Sequence, residues 1–133
     1  MAGFLAIAVA GLLGSPAAAQ KRPYDLLMRD IASTFDTLRK DLDGGNMATA
    51  AADAARLERL FREIEEFWTS FKTIDAIDAA KGAREASTAV AAAARDKDLP
   101  KARTAVSGLG RFCATCHNSH REQMPDKSYR IKP

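Results

Sequence analysis

From about residue 23 onward the apolar residues recur at steps of three and four, the repeat of a helix with one buried face, and no stretch alternates as a strand does. A first helix is predicted from about Pro23 to Leu42, its stripe made of Tyr24, Leu27, Met28, Ile31, Phe35, Leu38 and Leu42. Asp43-Gly44-Gly45 marks its end, and Asn46 is a candidate N-cap for the next. The second helix, about Met47 to Phe71, has the densest stripe of the chain in Leu57, Leu60, Phe61, Ile64, Phe67, Trp68 and Phe71, and should carry much of the core. The third, about Ile74 to Arg95, is alanine-rich, with Ile77, Ala83, Ala86, Val90 and Ala93 on one face; small side chains let a neighbouring helix or a flat group come close. Asp98 as N-cap with Pro100 in the first turn opens a fourth helix, where Ala102, Val106, Leu109, Phe112, Cys113 and Cys116 share a stripe.

Short connections between four long helices favour an all-α fold, an antiparallel four-helix bundle, in which cofactor sites form between facing helices. Trp68 reads as core packing, and Glu63, Glu65 and Glu66 as a solvated face. The tail from Pro125 to Pro133, with Asp126, Lys127, Tyr129 and Arg130, either packs beside a site or frays.

Residues 1–19 are different in kind. An apolar run from Ala2 to Gly14 leads into Ser15-Pro16-Ala17-Ala18-Ala19, a small-residue pattern that signal peptidase accepts. At about 13 residues the run falls short of the roughly 20 that a membrane span needs. Export through a signal peptide and cleavage after Ala19 is the expectation, with no stable membrane span afterwards. No Lys or Arg precedes the run, so an uncleaved, tethered form and a different start both stay open. Residues 20–133 then form one domain. It holds all 20 basic and 17 acidic residues, a net charge of +3. That balance is too mild to point to nucleic acid or an anionic membrane surface, and no phosphate-cradling glycine loop, aromatic-basic interleaving or internal repeat changes the picture.

Both cysteines and one of the two histidines fall in a single string, Cys113-Ala114-Thr115-Cys116-His117. On one helical turn, two thiols three residues apart can form thioethers with the two vinyl groups of a haem while the adjacent imidazole reaches the iron. Random scattering would produce such a string roughly once in a few thousand chains. A redox dithiol wants a βαβ context, and a zinc site normally wants four ligands where only His120 and carboxylates remain. The leading reading is therefore one covalent haem c per chain, held by Cys113 and Cys116 with His117 on the iron. Joined to export, it predicts a periplasmic protein. Only a short tail follows the motif, so an earlier helix must supply the other side of the haem.

In element order and motif position the chain resembles the class II cytochromes c, the cytochrome c′ family: exported four-helix bundles with C-x-x-C-H near the end of the last helix. The resemblance covers Gln20 to about Met124. It implies that the first helix presents to the iron either an apolar residue, leaving it five-coordinate, or a Met whose sulfur binds it. Leu27-Met28-Arg29 is similar to the Leu-Met-Lys string of the Met-ligated, low-spin members. Met28 is thus the candidate distal ligand, set against the plainer reading that it is flexible core filler. Arg121, four places after His117, matches a basic residue that lies near the haem in relatives. His120 departs from the aromatic residue usual there; stacking, covering a haem edge, bonding a propionate, or no redox task at all stay open for it.

With His117 and Met28 both bound, the implied function is that of a periplasmic single-electron carrier, not an enzyme, exchanging electrons with other periplasmic redox proteins. A thioether ligand and an apolar wall of Phe35, Phe61, Ile64, Trp68 and Phe112 would both raise the potential. With an unligated distal side, the resemblance implies instead the binding of nitric oxide or carbon monoxide. Peroxidase-like chemistry would need a His or Arg over the iron, and none in the first helix can be placed there. Relatives are often homodimers through their first two helices, and the exposed polar residues here do not choose between monomer and dimer.

Overall fold

The periodic stretches are four helices in a computed structural model of the chain, which describes residues 22–132: α1 Tyr24–Asp43, α2 Met47–Phe71, α3 Ile74–Arg95 and α4 Leu99–His120. The leader expected over residues 1–19 lies outside the described residues. Each turn is closed by a residue in the left-handed conformation, Gly45 at φ 74, Lys72 at φ 57 and Lys97 at φ 58, which stops the preceding helix and satisfies its last carbonyls. Asp98 caps α4 as predicted, its carboxylate accepting from the Lys101 backbone N–H at 3.0 Å. Asn46 stands at the start of α2 but does not cap it with its side chain, which instead approaches Asp41 on α1 at 3.4 Å.

The helices form a four-helix bundle. Arg22 and Tyr24, at the start of α1, meet Glu63 and Trp68, near the end of α2, while Asp30 meets Arg56, so the two helices run in opposite directions. The same reversal brings Phe112 of α4 onto Gly82 of α3. The alanines of α3, among them Ala76, Ala80, Ala83, Ala91 and Ala94, are buried and let α2 and α4 lie tightly on either side. Leu38, Leu42, Leu57, Trp68, Val90 and Leu109 fill the middle. The closure is uneven: α1 packs along α2 but touches α4 only sparsely.

Two apolar residues depart from the expected stripes. Phe71 is 51% exposed, because it is the last residue of α2, where the stripe runs past its cover. Phe112 is 37% exposed: its ring leans out of the bundle interior onto the surface of α3, where Gly82 has no side chain to exclude it. Phe112 is therefore not part of an interior wall with Phe61, Ile64 and Trp68, all of which are buried.

The expectation of no strand also fails. After α4 the chain forms a hairpin, β1 Arg121–Gln123 against β2 Tyr129–Ile131, in the antiparallel register Arg121↔Ile131, Glu122↔Arg130, Gln123↔Tyr129. Three residues per strand are too few for an alternating pattern to be read. The turn is made by Asp126, which accepts from the backbone N–H and the hydroxyl of Ser128, and by Lys127 in the left-handed region at φ 69. Among the described residues no helix is long and apolar enough to cross a membrane.

Candidate functional site

The Cys113–His117 string occupies the last turns of α4, where Thr115 returns its hydroxyl to the Arg111 carbonyl at 3.0 Å and so stays compatible with the helix. Both cysteines are free, half-buried and packed against the core. Burial, and then the neighbouring Cys116, pushes the Cys113 thiol up to about 11. Burial and the charge of Asp75 also raise Cys116. Both thiols are therefore protonated and slow to act as thiolate nucleophiles at neutral pH. His117 is moved the other way, first by burial and then by the positive Arg121, so its ring is neutral at pH 7 and has a nitrogen lone pair to give.

Contacts between α1 and α4 set their register. Arg103 pairs with Asp43 at 3.5 Å, and Gly110 faces the Phe35 ring, a Cβ at that glycine falling 3.9 Å from it. Seven residues before Phe35 lies Met28 and seven after Gly110 lies His117, two turns in each case and hence the same helix face. The register thus carries Met28, half-buried and packed against the core, to the height of His117 across the sparsely packed seam. Tyr24, one turn before Met28, lies near Cys116: its hydroxyl is pushed up to about 12, mainly by burial and further by that sulfur, against a hydrogen bond from Trp68 that pulls it down.

Arg121 begins β1 with its guanidinium over the Tyr129 ring at 4.4 Å, close enough to act on His117 by charge. His120 turns inward. Its ring lies against Trp68 with centroids 4.9 Å apart, its Nε2 is 2.9 Å from Asp75 Oδ2, and its Nδ1 is 2.8 Å from the Lys132 carbonyl. His120 thus lies with its ring against an aromatic neighbour of α2. Tyr24, Asp75 and Lys132 carried no signal of this arrangement. Tyr24 is only one more member of the α1 stripe, and Asp75 lies 45 residues from its partner.

The donor set suits a haem c: two protonated thiols one turn apart, a neutral imidazole beside them, and a thioether at the same height on the facing helix. It does not suit a structural zinc, since among the described residues no three His, Cys, Asp or Glu side chains gather as a metal-holding group. The carboxylates of α2 are not arranged as a catalytic pair either. Glu63 pairs with Arg22, and Glu65 with Arg84 at 2.8 Å across an open groove that the motif does not line. No protein-family model, no curated protein and no solved structure matches the chain.

Proposed function

We propose that the chain is a periplasmic electron carrier of the cytochrome c′ type, with haem c attached through Cys113 and Cys116 and its iron held between His117 and Met28. The observation that carries this reading is the C-x-x-C-H string on the last helix of a four-helix bundle, with a methionine level with its histidine on the first helix. When bound, haem supplies a one-electron couple. The chain contributes the rest. Cys113 and Cys116 would hold the group as thioethers. The neutral His117 ring would lend its lone pair to the iron, and the soft sulfur of Met28 would favour the ferrous state. Phe61, Ile64 and Trp68, all buried, keep water from the interior face. The thin packing between α1 and α4 would let a flat group enter by parting two neighbouring helices that share little.

The exported protein, made in a host that matures c-type cytochromes, tests this directly. A mass increased by one haem, and in the oxidised state the near-infrared band of methionine sulfur on ferric haem, are expected. Met28→Ala should abolish the band and give a high-spin centre that binds carbon monoxide readily when reduced. A wild-type protein already high-spin and open to carbon monoxide would replace electron transfer with gas binding beside Leu27, which is buried one position away. Purification as colourless polypeptide would sink both.

A further inference from the structure

We propose that His120 is a latch residue: through its two ring nitrogens it fastens the C-terminal hairpin to the start of α3 and holds it against the end of α4. The proposal does not depend on whether haem is attached. The His120 side chain is only 10% exposed, although it is the last residue of its helix and both Ser119 and Arg121 beside it are exposed. Its ring is enclosed by three elements, Trp68 of α2, Asp75 of α3 and Lys132 after β2. The two polar neighbours, a carboxylate and a backbone carbonyl, are acceptors only, so a ring nitrogen that bonds either one does so as an N–H donor. Asp75 is held below the usual carboxylate range, first of all by the His120 bond.

The backbone closes the same junction. Lys132 N–H donates to the His120 carbonyl at 2.8 Å, so the two residues exchange a main-chain bond and a side-chain bond. A two-stranded hairpin of this length is marginal by itself in water. What it has besides its own ladder is Ile131 on the core, the Arg130–Glu122 pair at 2.8 Å, which is largely solvated, and His120. Of the polar contacts among these, the one that reaches α3 is that of His120 with Asp75. His120 is therefore a positioning residue: it sets where β2 lies, and with it the Tyr129 ring on which Arg121 rests beside His117.

Limited trypsin digestion of the purified mature protein, haem attached if it is so matured, reads the latch at Lys127 and Arg130, with mass spectrometry to assign the cuts. When opening is fast, cleavage there tracks the population of open hairpin. Asp75→Ala, a change at an exposed carboxylate that leaves the fold intact, and His120→Phe, which keeps a ring against Trp68 and removes both bonds, should each speed these cuts about five- to tenfold. Asp75→Asn should stay within about twofold of wild type, because its amide can donate to Nε2 while Nδ1–H still serves the carbonyl. Unchanged cleavage in Asp75→Ala, or equal acceleration in Asp75→Ala and Asp75→Asn, would overturn the latch.

Discussion

A methyl group at Gly82 is a sharp test of how α4 sits on α3. A Cβ built there collides with the ring of Phe112, three of whose atoms lie well inside van der Waals contact. By intrinsic propensity, Gly82→Ala in the middle of α3 should stabilise the helix by about 1 kcal/mol. Forcing the ring aside, or α4 away from α3, costs about 1–3 kcal/mol, as overpacking does. The net expectation for Gly82→Ala is a loss of up to about 2 kcal/mol. In a Phe112→Ala background the obstacle is gone, and the same substitution should stabilise by about 1 kcal/mol. The sign reverses, and the cycle closes with a coupling of about 1–3 kcal/mol. Urea titration of the four proteins, followed by helical circular dichroism at constant m, measures all the differences. If Gly82→Ala raised stability equally in both backgrounds, Phe112 would not be resting on Gly82, and the account of its exposure would be wrong.

Lys72 stops α2 in the left-handed region at φ 57, so Lys72→Gly should raise stability by about 0.5–1 kcal/mol in the same urea assay. Leu109 is fully buried on α4, and Leu109→Ala should cost about 2–5 kcal/mol, whereas Leu26→Ala at a half-exposed position should stay within about 0.5 kcal/mol. Tyr24 has its hydroxyl pushed up from 10.0 to about 12, chiefly by burial, so the unfolded chain loses this proton first. Stability should therefore fall as pH rises from 10.0 towards about 12, and Tyr24→Phe should flatten that limb of the pH–stability curve.

The helices were legible because each carries a strong apolar stripe and a chemical stop. The predicted bounds of α2 and α3 coincide with those observed, and α1 and the opening of α4 agree to within a residue or so. Asp98 and Gly45 act as read, whereas Asn46 shows the limit of such signals, its position being right and its side chain turned elsewhere. The motif was visible for the same reason of locality, its thiols and imidazole falling within one turn. What escaped notice depends on distant neighbours. Phe112 belongs to the α4 stripe by spacing, but a glycine thirty places earlier decides where its ring goes. His120 has its role from Trp68, Asp75 and Lys132, none adjacent in the chain, and the hairpin is too short for its pairing to leave a pattern.

The uneven closure of the bundle divides the molecule energetically. Helix α1 is joined to the remainder chiefly through one neighbour, while α2, α3 and α4 hold one another through the alanine-lined interfaces. Sub-global opening under native conditions should begin with α1, whose amides would exchange with solvent at a lower free energy than those of the other three. Cys113, Cys116 and His117 ride on the durable part, and Met28 on the labile one. A bond from Met28 across that boundary would act as a clasp on the weakest segment, and its loss would free α1 first while leaving the thiols and imidazole in place.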